Sequence, residues 1–196
     1  MPDLSRYKGI VFDMDGTLID SMGAHNIAWR HACEKFAYPF DEAYIHNLGG
    51  VPTRDIVMLL NEKHGLSHDP DVVTKTKNLM FLEHKDSPSI IKDTFQVMQR
   101  YEGILKMGVG TGSERNNAIK MLTDTGLLER LETVVTASDV THGKPHGETF
   151  ITVATNMGLQ PNECVVFEDT EVGRQAAQNA GMDCIMVING KIVLPE

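Results

Sequence analysis

Positive charge is scarce in this chain. Against 27 Asp and Glu stand 18 Lys and Arg, a formal net charge of -9 over 196 residues. No basic stripe is available to follow a phosphate backbone, which argues against a nucleic-acid surface. A small phosphorylated ligand is not excluded, because one local cation or a metal reverses the field inside a cleft. Cysteine is sparse as well. Cys33, Cys164 and Cys184 are odd in number and lack metal-ligand spacing, which reads as reduced, partly buried thiols in a cytoplasmic protein. Long apolar runs are missing at the N-terminus, where MPDLSRYKG is polar, so neither a signal peptide nor a membrane span is expected. No repeat or low-complexity tract stands out. What is present, 41% hydrophobic and 23% charged residues, fits one domain with an inserted subdomain better than two equal domains.

From about Tyr101 onward, short apolar runs alternate with helical spacing. ILKMGVGTGS predicts a strand and a Gly-rich turn, then a helix with Ile119, Leu122 and Leu127 on its apolar side. LETVVTASDV predicts a strand, followed by a helix presenting Phe150, Val153 and Met157. CVVFEDT predicts a strand, EVGRQAAQNAGM a helix stopped by Gly181, and DCIMVIN a last strand. Continuous apolar strands alternating with helices imply a parallel sheet covered on both faces, an α/β fold. Residues 21 to 86 break the rhythm with four helix-like segments and no strand between them. The expected organisation is an α/β core from residues 1–20 and 87–196, with an all-helical insertion, 21–86, above the strand ends. Strands are expected to resume after DSPSII.

The chemistry-bearing residues fall where those strands end. IVFDMDGTLID carries Asp13 and Asp15 off the first strand, at the carboxyl end, where open α/β sheets place ligands. Residues two apart in extended chain lie roughly 6.5 Å apart on one side, so one carboxylate can face phosphorus while the other reaches a leaving oxygen. Two close carboxylates repel unless a cation is shared. A strand running into an Asx-rich turn is the plainer reading and stands level with it. Thr111, Gly112 and Ser113 offer a hydroxyl and backbone N–H groups suited to phosphate oxygens, although Gly/Ser/Thr turns are widespread. Lys144, before Pro145, can pair with a phosphate and a carboxylate, or be a surface lysine ahead of a helix. Glu168 and Asp169 offer hard oxygen donors of the kind Mg²⁺ takes, or a helix N-cap. Four strand ends together supply nucleophile, phosphate donors, cation and metal ligands.

These four stretches, DMDGTLIDS, GTGS, GKP and FEDTEVG…AAQNAGM, resemble the haloacid dehalogenase superfamily of phosphohydrolases over essentially the whole chain. The branch is that of β-phosphoglucomutase and small sugar-phosphate phosphatases, fructose-1-phosphatase-like enzymes among them. The resemblance implies a Rossmannoid core with a small helical cap of the C1 type. It implies that Asp13 attacks phosphorus to form an aspartyl-phosphate and that Asp15 is general acid and then base. Asp13, the carbonyl of Asp15 and Asp169 would hold Mg²⁺, with Glu168 orienting a metal-bound water. Thr111, Gly112 and Lys144 would hold the transferring group. In the cap, Gly49, Gly50, Thr53 and Arg54 would face substrate, and His25 matches a histidine ten positions after the second aspartate. Thr53 is equally an N-cap for RDIVMLL with Arg54 on the solvated face, His25 a packing residue, and Trp29 cap core. After Lys-Pro the chain departs from the pattern with HGETF, including Gly147. Neither Lys75 nor Lys77 is a clear counterpart of the lysine with which the mutase grips a second phosphate, which favours hydrolysis.

The expected function is Mg²⁺-dependent hydrolysis of a small sugar phosphate, such as a hexose 1- or 6-phosphate. The alternative is a β-phosphoglucomutase, interconverting β-glucose 1-phosphate and glucose 6-phosphate. A receiver-type signalling module would be near half this length, and the spacing of Asp13 and Asp15 speaks against it. A binding protein without turnover has no support, since every expected group is present. The expected protein is a cytoplasmic monomer or weak dimer whose partner is a small phosphorylated metabolite, with no nucleic acid and no membrane.

Overall fold

The computed structural model describes residues 1–83 and 89–194. Strand β1 (Gly9–Phe12) has no exposed residue and lies mid-sheet, parallel to β4 (Lys106–Gly110) on one side and β6 (Cys164–Glu168) on the other. With β5 (Thr133–Val135), β7 (Asp183–Ile188) and β8 (Lys191–Val193), the order is β5-β4-β1-β6-β7-β8, antiparallel only between β7 and β8. Alternate residues of the strands supply two separate cores. Ile10 and Phe12 pack with Val97, Met98, Met121 and Leu122 of α5 (Lys92–Tyr101) and α6 (Arg115–Asp124). Val11 and Val166 pack on the other face with Phe150, Val153, Ala176 and Ala177 of α7 (Glu148–Asn156) and α8 (Glu171–Asn179). Each fully buried valine, leucine, isoleucine, phenylalanine or methionine among them contributes about 1.5–3 kcal/mol.

Between β1 and β4 the chain builds a third core from helices alone. α1 (Met22–Lys35), α2 (Glu42–Asn47), α3 (Thr53–His64) and α4 (Pro70–Glu83) bury Trp29, Cys33, Ile45, Ile56, Leu60 and Val73 together. A two-stranded ribbon, β2 (Ile19–Asp20) antiparallel to β3 (Ser89–Ile90), joins the way out to the way back. The Thr94 hydroxyl fastens this neck by donating to the Thr17 carbonyl at 2.6 Å. The expected boundary at 86/87 lies outside the described residues. Among the described residues, no helix is long and apolar enough to cross a membrane.

Three elements differ from expectation. The end of DSPSII forms β3 and leads into helix α5 before the sheet resumes; α5 buries Thr94, Val97, Met98 and Tyr101, an i, i+3, i+4, i+7 stripe disguised by its threonine. The apolar side of α6 is Ala118, Met121 and Leu122, with Ile119 only half buried; the helix ends at Asp124, so Leu127 enters the core from beyond it. The last strand turns back into β8 through Asn189 and Gly190, both at positive φ, as an Asn-Gly hairpin requires.

Candidate active site

The site forms where β1, β4 and β6 end side by side. β1 feeds a neighbour on each hand, and the crevice opens at that switch point. Asp13, 3% exposed, is fixed by its amide donating to the Phe167 carbonyl at 2.9 Å. Gly16 then turns the chain at φ +84; a Cβ there would stand 2.2 Å from the Asp169 carboxylate. Only glycine satisfies both the turn and that close approach.

One lysine binds two carboxylates at the floor. Lys144 Nζ donates to Asp13 Oδ1 at 2.6 Å and to Glu168 Oε1 at 2.9 Å, with all three side chains buried. The other Glu168 oxygen accepts from the Thr170 amide at 2.6 Å and hydroxyl at 2.9 Å. The N-cap of α8 is Thr170, whose hydroxyl accepts from the Gly173 amide, so neither Glu168 nor Asp169 caps the helix. Asp169 accepts from the Thr17 hydroxyl at 3.1 Å. Burial would lower Lys144, but Asp13 and Glu168 outweigh it and hold the ammonium above its ordinary value. Burial pushes Asp13 well up against the pull of Lys144, with Glu168, Asp169 and Asp15 adding to the rise. Burial and the Glu168 charge carry Asp169 up to about 7. Carboxylate oxygens of Asp13, Glu168 and Asp169 lie within 4.8 Å of one another. An all-oxygen set with excess negative charge suits a hard divalent cation.

Asp15 occupies a different environment. One oxygen accepts from the Ser21 hydroxyl at 2.6 Å and faces His25 Nε2 at 3.0 Å. The other accepts from Ser113 at 2.7 Å and Thr111 at 3.4 Å. Burial would raise this carboxyl, yet His25 and the serine hydroxyls hold it well below the usual carboxylate range. Burial and the Lys77 ammonium lower His25. Its other nitrogen meets Lys77 Nζ at 2.9 Å, and its ring stacks on Phe81. Burial brings Lys77 down to about 8.

A cavity of about 60 Å³ lies over these groups, walled by both the sheet loops and the helical layer. Asp13, Asp15, Thr111, Gly112, His25, Gly50 and Thr53 line it; Lys144, Glu168 and Asp169 do not, and Lys144 reaches it only through its bond to Asp13. Arg54 does not line it: the guanidinium is exposed and bonds Asp71 at 2.9 Å. Pro52 takes the N-cap position of α3, and Thr53, its first residue, is buried in the wall. Thr111 and Ser113 have less to offer a phosphate than their sequence suggests, since the Thr111 amide is bound to Val135 and the Ser113 amide to Thr111 Oγ1. Trp29 belongs both to the helical core and to the cavity wall. Lys75 points to solvent, but Lys77 reaches the cavity. Sequence reading missed Ser21, Ser113 and Lys77 as partners of the Asp15–His25 pair. Ser21 and Ser113 stand inside DMDGTLIDS and GTGS, so position beside the motif residues was the available signal.

The family of haloacid dehalogenase-like hydrolases matches residues 10–187. The chain belongs to that family. Fructose-1-phosphate phosphatase YqaB of Escherichia coli K12 is 37% identical over 93% of this chain and 97% of its own length. β-Phosphoglucomutase of Bacillus subtilis 168 is 27% identical, over 95% of this chain and 86% of its own. In three dimensions a hydrolase from Pseudomonas syringae superposes with a TM-score of 0.86 at 22% identity, covering 93% of this chain and 85% of that one; this likeness shows the fold. As a haloacid dehalogenase-like hydrolase the chain is a phosphatase.

Proposed function

We propose that this phosphatase is Mg²⁺-dependent, acts in the cytoplasm as a monomer or weak dimer, and releases phosphate from a small sugar phosphate through an aspartyl-phosphate on Asp13. The observation that carries the proposal is the buried Asp13–Lys144–Glu168 bridge beneath the cavity, beside Asp15 in its own hydrogen-bonded pocket. The sugar phosphate is supported by the likeness to fructose-1-phosphate phosphatase.

Asp13, held in line by Lys144, attacks phosphorus and the sugar oxygen leaves. Asp13, the Asp15 carbonyl and Asp169 would hold Mg²⁺, and Glu168, braced by Thr170, would orient a water beside it. Bound there, Mg²⁺ supplies charge neutralisation for the phosphoryl oxygens. Asp15 must give a proton to the leaving oxygen, yet its present bonds favour the carboxylate. An entering phosphate competes for the Thr111 and Ser113 hydroxyls and brings like charge, and both effects raise the Asp15 pKa. After departure Asp15 takes a proton from water attacking the aspartyl-phosphate. Residues 21–86 act as a cap over the 1–20 and 87–196 core, excluding bulk water.

Lys77 supports a second reading, the β-phosphoglucomutase. It is the only lysine or arginine among the described residues lining the cavity. It is already engaged with His25, which leaves it poorly placed to hold another phosphate. The test is product partition with β-glucose 1-phosphate and fructose 1-phosphate under Mg²⁺. Phosphate release supports the phosphatase, and glucose 6-phosphate without phosphate release overturns it in favour of the mutase.

A further inference from the structure

The segment THGKPHGETF assembles a second group of donors on the outer side of the Lys144 loop. His142 Nδ1 lies 3.1 Å from Glu148 Oε2. The His142 and His146 ring centroids are 5.0 Å apart. One donor atom from each of His142, His146 and Glu148 falls within 4.8 Å of the others. We propose that these three side chains form a transition-metal site of the zinc class, separate from the carboxylate cluster in the cleft.

The chemistry of the donors selects the ion. Two imidazoles and one carboxylate suit Zn²⁺, Co²⁺ or Ni²⁺, whereas Mg²⁺ prefers oxygen ligands and keeps its waters. Zinc bonds of roughly 2.0–2.2 Å need donors a little over 3 Å apart in a tetrahedron. His142 and Glu148 already stand at that spacing. Both imidazoles are exposed, so side-chain rotation brings in His146 without moving the backbone. Ligation by His146 gives up the 3.1 Å bond its Nδ1 accepts from the Glu148 amide, which water can replace.

Glu148 is the fixed member. It begins α7, and its two oxygens accept from the Thr141 and His142 amides at 2.9 Å each. Those bonds orient the carboxylate and leave a second lone pair on each oxygen, the outer support that metal ligands ordinarily have. Three protein ligands leave one position for water. Because Lys144 lies between the two histidines in sequence, an ion here ties together the loop that delivers it.

The proposal does not depend on which phosphate ester the cleft takes. Calorimetric titration with ZnCl₂ is run on the full chain in excess MgCl₂, which occupies the cleft, for the wild type, His142→Ala, His146→Ala and Asp13→Asn. A single zinc is expected in the wild type and in Asp13→Asn, with affinity falling at least roughly tenfold in each histidine variant, since even outer partners of metal ligands are worth 10–100-fold. Co²⁺ should show visible d–d bands of a four-coordinate site that are absent from His142→Ala. Circular dichroism confirms that the variants are folded. No zinc binding, binding unchanged in both histidine variants, or binding lost in Asp13→Asn would each overturn the proposal.

Discussion

Two aspartates separated by one residue are given opposite electrostatic lives. Asp13 is pressed among carboxylates and held by Lys144, while Asp15 is surrounded by hydroxyls and a histidine. Under the proposed mechanism, this separation would let Asp13 be the nucleophile and Asp15 trade a proton. Asp15→Asn keeps the shape and removes the proton transfer. Its kcat on a sugar phosphate should fall about 10²–10⁴-fold with KM little changed, read from initial rates. Asp13, Asp15, Glu168 and Asp169 were legible in the sequence because each ends a recognisable apolar strand or follows one closely; Lys144, well past the end of β5 at Val135, was legible only through the resemblance of GKP to a family motif. The roles of Ser21, Ser113 and Lys77 around Asp15 were not legible, although Ser113 and Lys77 were singled out as candidate phosphate contacts, since what they touch is decided by packing between distant segments: Lys77 and His25 are 52 residues apart. Arg54 looked equally suitable in sequence. Its partner is Asp71, one helix away on the surface.

The elements meet through glycine. Gly50, at φ +86, lays its carbonyl against Gly112, where a Cβ would stand 2.1 Å from that oxygen. Gly112→Ala therefore holds the α2–α3 loop away from the β4 loop. kcat/KM should drop roughly 10²-fold, the scale of a 1 Å misplacement. The melting temperature should move little, because separating the loops relieves the clash. Lys77, 2% exposed within α4, predicts the opposite trade. It titrates near 10.5 in an unfolded chain and about 8 here. Its burial as a cation opposes folding fully below pH 8, and the opposition fades as pH rises from 8 to 10.5. Lys77→Met should stabilise the protein by about 1–2 kcal/mol at pH 7, net of the lost His25 bond. The gain should disappear by pH 10.5, as denaturant melts at both pH values would show, while turnover falls. Helix α5 and strand β8 were present in the sequence as a threonine-interrupted stripe and an Asn-Gly turn. The β2–β3 neck was not, since two residues in each strand carry no period.

At the scale of the molecule, a central strand with a neighbour on each side brings three strand ends to one crevice, and the helical layer covers it. That parallel core could be read from alternating strands and helices; the closeness of the two layers could not, since it depends on backbone contacts at Gly50 and Gly112. Chelation should abolish turnover, and added Mg²⁺ should restore it and raise the melting temperature, because an ion that binds only the folded state stabilises it. The most direct test of the central claim, that Asp13 carries the phosphoryl group and Asp15 governs its release, is a rapid-mixing experiment with p-nitrophenyl phosphate and Mg²⁺. This leaving group needs no proton, so Asp15→Asn should give a burst of about one equivalent of nitrophenol followed by a slow steady state, the mark of an accumulating covalent enzyme. Asp13→Asn should give neither. A burst in Asp13→Asn, or none in Asp15→Asn while wild-type turnover persists, would contradict the account.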